Sequence, residues 1–388
     1  MRAREQQSLD AVAPERPRFV PAEAEPLDCV PSRCFVGAKQ SHWTPGAPVS
    51  MAPSHNPEFR QDQITQEWIA CAPSRSQRPH RTGPPAPDTD PTDETPVQGC
   101  PFCPGHEDKL PSVLWQLDGD AARVWRTRVV PNKYPALTPS GEPRQNDCGL
   151  YASRTASGRQ EVVIDTPYHH EEIAHMPVEH VEAILHTYRA RYHSLRQEEP
   201  SLYPFIFRNH GARAGASIAH PHSQIIATDF GPPQIEREER AAQAYYEENG
   251  ECPYCRMVAD EVDADVRLVW TNDRFVVFVP YAARVPYTLW ILPREHRADF
   301  GRMTDEDQRA LAEALHQAIR RLYDRLDNPD YNFYVRTALE YDSTAPYLHW
   351  SVRVEPRTTV EAGFELSTGI HINPSIPERD AAVLRGAG

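Results

Sequence analysis

Apolar positions fall into two patterns along this chain, and the alternation between them sets its architecture. Short apolar runs bounded by Gly, Pro, Asn or Asp predict strands at Val124–Val130, Val162–Ile164, Pro204–Arg208, Ile225–Ala227, Arg267–Trp270, Phe275–Val279, Thr288–Leu292 and Tyr331–Arg336. Two longer stretches place apolar residues at helical spacing. One carries Val181, Ile184, Leu185, Tyr188, Tyr192 and Leu195, and the other Leu311, Leu315, Ile319, Leu322 and Leu326. Thr304, three residues before Asp307, is the expected N-cap of the second helix. A charged helix is expected over Ile235–Asn249. Sequential strands joined by short turns, with one main helix per group, predict an α+β fold of antiparallel sheets rather than a parallel doubly wound sheet.

The pattern runs twice. Cys100-Pro-Phe-Cys103 returns as Cys252-Pro-Tyr-Cys255, and each pair precedes strand-like runs. An apolar strand then ends in Pro and His, at His169 in one half and His296 in the other. The helix follows, then a further strand and a last histidine, His220 or His349. Two thiolates and two imidazoles satisfy a tetrahedral zinc ion with no open position. The ligand sets expected are Cys100, Cys103, His169 and His220, and Cys252, Cys255, His296 and His349, with His170 competing with His169. A two-residue gap suits a metal better than a disulfide, and the sequence presents no secretory leader, so a cytoplasmic location is expected. Cys29, Cys34, Cys71 and Cys148 lack this spacing and read as buried or disordered thiols.

The two halves diverge at one place. In His220-Pro-His222-Ser-Gln224 the two histidines share one face of an extended segment, and neutral imidazole can ligate a metal or attack an electrophile. Matching His349 to His220 sets Ser351 opposite His222 and Arg353 opposite Gln224. The second half therefore keeps the ligands and loses the nucleophile, so one half is catalytic and the other scaffold.

With 388 residues the chain is long enough for two fused domains with a core each. A net charge of −14 argues against nucleic acid as the main partner, and no apolar stretch approaches the roughly 20 residues of a membrane span. Residues 1–55, rich in Pro, Ala, Glu and Arg without periodicity, are expected to be a disordered tail. A second flexible stretch, dense in Pro, Asp and Thr, is expected from about Arg81 to Pro96. The expected domains are 56–233, catalytic, and 234–388, which ends in a substrate segment.

Several ordered motifs from about residue 58 to 385 resemble the galactose-1-phosphate uridylyltransferase family of the histidine-triad superfamily, including its ADP-glucose phosphorylase-like members. They are Arg60-x-Asp62-x-x-Thr65-x-x-Trp68 with Arg75-x-x-Arg78-Pro79, Val130-Pro-Asn132-Lys133-Tyr134-Pro, Asn209-His-Gly211 through Ser217 to Gln224, and Gly363-Phe-Glu365-Leu with Asn373-Pro and Pro377-Glu378. The resemblance implies two fused histidine-triad-like half-barrels and a ping-pong transfer from a nucleotide sugar to a sugar 1-phosphate or inorganic phosphate. His222 would be the nucleophile, and Gln224 and Ser217 would donate to phosphoryl oxygens. Arg60, Lys133, Asn132 and Asn209 would line the nucleotide site, though an isolated Asn is also a common turn residue. Arg75 and Arg78 would grip phosphate, or form a solvated surface pair. Glu365 would contact the hexose, or be a surface carboxylate. Two structural zinc ions per chain and a homodimer are implied as well.

The best-studied members carry Gly where Ser223 stands and Lys where Thr359 stands. These departures leave open the base, the acceptor, and the choice between uridylyltransferase and ADP-glucose phosphorylase. A zinc-stabilised binding protein without turnover is the reading from another class. It has no need of the His222 and Gln224 pair.

Overall fold

The computed structural model describes residues 57–386 apart from 63, 66, 74, 76–89, 91–94, 120–123, 138, 140–144 and 149. The expected tail, most of the Arg81–Pro96 stretch and Arg78 lie outside the described residues.

The chain begins with β1 (Glu58–Gln61), β2 (Trp68–Cys71), β3 (Trp115–Asp118) and β4 (Trp125–Pro131). A separate hairpin, β5 (Gln145–Cys148) with β6 (Tyr151–Arg154), leads to β7 (Gly158–Ile164), α1 (Val178–Glu198), β8 (Tyr203–His210) and β9 (His222–Thr228). Helix α2 (Pro233–Asn249) connects to α3 (Pro253–Ala264), followed by β10 (Leu268–Thr271), β11 (Phe275–Phe278) and β12 (Leu289–Pro293). Then come α4 (Asp305–Leu326), β13 (Tyr331–Arg336), β14 (Ser351–Pro356), α5 (Gly363–Thr368), β15 (His371–Asn373) and α6 (Pro377–Arg385).

The repeat read from the sequence is a repeat of topology. One ten-stranded antiparallel sheet runs β10-β11-β12-β14-β13-β8-β9-β7-β4-β3. Counted from its two ends, it is the same five-strand unit used twice and joined where β8 pairs with β13. Asn209 stands opposite Asn332 in that central ladder. The unit places β9 and β14 in equivalent positions, so His222 and Ser351 each open the strand that follows a ligand histidine.

Alternation along the strands divides the sheet into two faces. Val129, Val163, Ile206 and Ile225 of the first unit join Val277, Ile291, Phe333 and Val352 of the second in one core beneath α1 and α4. The stripes that predicted those helices are what they bury. At the start of α4 the Thr304 hydroxyl accepts from the Asp307 N–H at 3.1 Å, and the Asp307 carboxylate accepts from the Thr304 N–H at 2.9 Å. Such a reciprocal cap contributes about 1 kcal/mol.

The opposite face carries two smaller cores. One packs Cys100, Phe102 and Cys103 on Val130, Val162 and Ile164. The other packs Cys252, Tyr254, Ala242 and Ile64 on Val276, Trp290 and Leu292. The two Cys-x-x-Cys pairs differ in local structure. The first lies in a turn, whereas Cys252 caps α3 with Pro253 in its first turn, where proline needs no N–H partner.

A small sheet draws together distant parts of the chain, with β2 pairing antiparallel to β1 and parallel to β15. Nearby, Arg60 is ion-paired to Glu378 of α6 at 2.9 Å and hydrogen-bonded to Glu58 at 2.8 Å, and Arg267 bonds Glu378 and Glu261 at 3.0 and 2.8 Å.

Candidate active site and metal-ligand clusters

Each set of two cysteines and two histidines converges. Within each set the ligand atoms lie within 4.8 Å of one another. In the first, His220 Nδ1 is 3.7 Å from Cys100 Sγ and 3.6 Å from Cys103 Sγ, and His169 Nδ1 is 3.4 Å from Cys103 Sγ. His169, not the neighbouring His170, belongs to this set.

The hydrogen bonds test whether a cation fits. His220 Nε2 is 2.8 Å from the Thr166 carbonyl, which can only accept, so Nε2 carries the proton and Nδ1 presents a lone pair to the sulfurs. Burial lowers the His220 pKa to about 3, so the ring is neutral, and burial raises the Cys103 thiol to about 11. The His220 lone pair thus faces the buried Cys103 thiol. These four donors fit a cation, which would ionise the thiols and occupy the lone pairs. The second set repeats the histidine geometry, though here hydrogen bonds from Cys255, His296 and His349 lower the Cys252 thiol to about 3. His296 and His349 approach Cys255 Sγ through Nδ1 at 3.3 and 3.7 Å, and His296 Nε2 donates to the Ala345 carbonyl at 3.1 Å.

His222 follows two residues after the His220 ligand and is buried, its ring 5.4 Å from that of Phe102. Its Nδ1 is 2.8 Å from the His220 carbonyl, so Nδ1–H donates and Nε2 is the nitrogen with a free lone pair. Burial lowers the His222 pKa, against the opposing effect of that hydrogen bond. The ring is therefore a neutral imidazole of fixed tautomer, held by the carbonyl of a residue in the ligand cluster.

Gln224 lies on the same face as His222, two residues along β9. Its Oε1 accepts from Gln160 Nε2 at 3.1 Å, and Gln160 Oε1 accepts from the Ala136 N–H at 2.8 Å. A backbone N–H can only donate, so the chain of bonds fixes both amides and leaves the Gln224 NH₂ group for another partner. Gln160 escaped the sequence reading because no motif marks a lone strand glutamine. Its position opposite β9 was the only signal.

Ser223 points the other way, toward α1. Its hydroxyl is 2.5 Å from the Tyr188 hydroxyl and 3.0 Å from each Asp165 carboxylate oxygen. Asp165 is ion-paired with Arg208, which also reaches Glu172 at 2.9 Å. Burial would raise Glu172, but His210 and Arg208 outweigh it and hold the carboxyl down to about 2.

The other expected contacts are distributed unevenly. Asn132 adjoins Gln160, donating its N–H to the Gln160 carbonyl at 2.8 Å while its side chain accepts from the Tyr134 N–H at 2.9 Å. Asn209 Oδ1 accepts from Asn332 Nδ2 at 2.7 Å. Lys133 and Ser217 are exposed. Tyr134 is 84% exposed. Arg75 is exposed, whereas Arg60 is only 5% exposed and held by Glu58 and Glu378. Glu365 is partly buried and accepts from the Ala362 N–H at 2.9 Å, capping its own short helix.

In the second unit, Arg353 occupies the Gln224 position and is buried in the core. It bonds Glu238 at 3.0 Å and stacks on Trp290 with 4.2 Å to the ring centroid. A pocket beside it is lined by Asp62, Thr65 and Glu67 of the β1–β2 turn together with Arg284, Tyr334 and Glu355. The turn thus lies against the unit in which Ser351 stands at the His222 position.

Comparison with known proteins agrees with this geometry. The profile described as galactose-1-phosphate uridyl transferase, N-terminal domain, matches residues 50–232, and one described as a domain of unknown function matches 172–383. ADP-glucose phosphorylase of Arabidopsis thaliana is 31% identical over 86% of this chain and 93% of its own length. Galactose-1-phosphate uridylyltransferase of Thermotoga maritima is 27% identical over 84% of this chain and 98% of its own. The crystal structure of the Arabidopsis phosphorylase with bound ADP-glucose superposes with a TM-score of 0.72 at 29% identity, covering 86% of this chain and all of that one. A uridylyltransferase structure superposes at 0.66 with 27% identity, covering 85% of this chain and 98% of that one. A relative above 30% identity across most of both chains, around a His-Pro-His-Ser-Gln strand set beside a Cys₂His₂ cluster, shows that this chain belongs to the galactose-1-phosphate uridylyltransferase family of nucleotidyltransferases.

Proposed function

We propose that this protein moves a nucleotidyl group from a nucleotide sugar to a phosphate oxygen through a covalent His222 intermediate, as a hexose-1-phosphate uridylyltransferase. The observation that carries the reading is the fixed neutral tautomer of His222, with Nδ1–H on the His220 carbonyl. In the first step Nε2 attacks the α-phosphorus, the bond to the bridging oxygen breaks, and sugar 1-phosphate leaves with the electron pair. In the second, an anionic phosphate oxygen of the acceptor attacks the same phosphorus and His222 leaves as neutral imidazole. Neither attack needs a base, since the acceptor oxygen is already ionised. The Gln224 amide fits this chemistry, because it can donate to a phosphoryl oxygen but cannot take a proton from water.

The ligand clusters would hold zinc, with Cys100, Cys103, His169 and His220 in one and Cys252, Cys255, His296 and His349 in the other. A closed set of four protein donors makes zinc a structural ion that fixes the turn before His222. We further propose that two copies pair. The exposed Phe364 and Leu366, either side of Glu365, support this.

A second reading has ADP-glucose as donor and inorganic phosphate as acceptor. The Arabidopsis phosphorylase at 31% identity and its complex with ADP-glucose favour it. Product analysis with UDP-glucose plus galactose 1-phosphate, and with ADP-glucose plus phosphate, separates the two. UDP-galactose formation supports the first reading. ADP formation from the second mixture alone replaces it with the phosphorylase. No product from either mixture, or from another nucleotide sugar, would overturn the proposed activity.

A further inference from the structure

Ser223 stands between the two residues of the proposed chemistry, yet its side chain faces away from them, and its surroundings are not those of a spacer. The residue is 0% exposed, and its hydroxyl is bonded to both Tyr188 and Asp165. Asp165 reaches the same turn a second time, through its backbone N–H to the Pro221 carbonyl at 3.1 Å. The next residue, Thr166, accepts from His220 Nε2 at 2.8 Å. Residues 165 and 166 therefore hold residues 220, 221 and 223, on both sides of His222.

This grip begins where the sheet stops. In the β7–β9 ladder the last pair is Ile164 with His222, so no further strand pairing fixes the nucleophile from the N-terminal side. Asp165 continues the hold. Its own position is set by the Arg208 ion pair and by His180 Nε2, which is 2.8 Å from the Asp165 carbonyl. Glu172, Tyr188, Tyr331, His210 and His222 are further titratable groups facing this pair. Burying a carboxylate costs several kcal/mol unless it is paired and hydrogen-bonded, and here both conditions are met. A glycine at position 223 would leave one of those bonds unmade.

Resting on the reading of His222 as nucleophile, we infer that Asp165 is its positioning residue, acting through Ser223 and Pro221 to aim Nε2 at the phosphorus. The hydroxyl of Ser223 locks the backbone of β9 to the buried Asp165–Arg208 pair. A misplacement of about 1 Å at a reacting atom costs on the order of 100-fold in rate.

The test compares wild type with Ser223→Ala and with Ser223→Thr, which keeps the hydroxyl. Readouts are the single-turnover rate of covalent labelling from α-³²P nucleotide sugars, the KM for donor, bound metal, and ¹⁵N resonances of histidine-labelled protein assigned with His222→Gly. Ser223→Ala should slow labelling about 10- to 100-fold with metal content and KM little changed. Its His222 resonances should shift from a single Nδ1–H tautomer toward an averaged state. Ser223→Thr should label close to the wild-type rate. Wild-type labelling and an unaltered His222 spectrum in Ser223→Ala would overturn the inference. If that variant does not fold, Tyr188→Phe, which removes one hydroxyl and keeps the ring, should show the same shift to a smaller degree, and an unchanged spectrum there is equally contrary. If no donor labels wild type, the transfer reading fails on its own, and the His222 resonances still decide whether Asp165 and Ser223 fix the ring.

Discussion

Changing Gln160 to glutamate replaces one NH₂ group with an oxygen and should reverse the amide of its neighbour Gln224. In the wild type the Ala136 N–H selects the carbonyl end of Gln160, so its NH₂ end meets Gln224 Oε1 at 3.1 Å and the Gln224 NH₂ group is left for another partner, a phosphoryl oxygen in the proposed mechanism. A carboxylate at position 160 still accepts from Ala136 but sets an anionic oxygen against Gln224 Oε1. The favourable response is for Gln224 to rotate its amide and donate to the new carboxylate, turning its carbonyl oxygen toward the substrate phosphoryl. One transition-state donor becomes an acceptor. Removing a single such donor costs about 10²–10³ in rate, or about 3–4 kcal/mol. Because the Gln160 side chain is only partly buried, the lower end of that range applies. Gln160→Leu removes the guidance without reversing it and should lose less. Single-turnover labelling by rapid quench, with circular dichroism to verify folding, measures both variants. A Gln160→Glu protein that labels as fast as wild type, or faster than Gln160→Leu, would refute the amide-orientation argument.

Three further outcomes are expected. Cys100→Ala should lose one metal per chain and destabilise the fold by several kcal/mol, since binding and folding are coupled; native mass spectrometry and urea titration check this, and full metal content would contradict it. Cys255→Ser should also lose one metal, yet its folded fraction should still label at His222, because the second cluster lies in the unit that does not carry His222. Burial raises Asp380 to about 7, against opposing hydrogen bonds from Ser375 and the Tyr287 N–H. The folded state therefore keeps a proton that the unfolded chain, with an ordinary value of 3.8, has lost, so stability declines as pH rises from about 4 to about 7. The decline attributable to Asp380 is at most about 4 kcal/mol, and Asp380→Asn should flatten it in urea titrations at about pH 5 and pH 7.5. Equal slopes in both proteins would rule it out.

The parts legible in the sequence are those with a local physical code. The apolar stripe of α4 and its Thr304 cap are set within a few turns of chain, and the extended runs Val162–Ile164 and Ile225–Ala227 became neighbours in the sheet. The two ligand sets were legible because cysteine and histidine carry their chemistry wherever they stand, and repetition fixed which ones belong together. Long-range pairing was not legible. Nothing in Trp68–Cys71 specifies that His371–Asn373 will lie parallel to it. The helix at the second cysteine pair follows from the packing of Tyr254 and Val258 beneath it rather than from a long stripe. Side-chain partners account for the remaining gaps. Arg60 carries a motif, yet two glutamates engage its guanidinium; Glu365 carries one too, yet its carboxylate caps α5. Gln160 and Asp165 carry none, because a polar strand residue is marked only by what lies opposite it.

The most direct measurement is intact-protein mass spectrometry after brief incubation with UDP-glucose, UDP-galactose or ADP-glucose without acceptor, on wild type and His222→Gly. Wild type should gain the mass of one nucleotidyl group and lose it when a sugar 1-phosphate or phosphate is added, and His222→Gly should form no adduct despite unchanged metal content. An adduct that persists in His222→Gly, or turnover in wild type with no adduct under any condition, would contradict a covalent His222 intermediate.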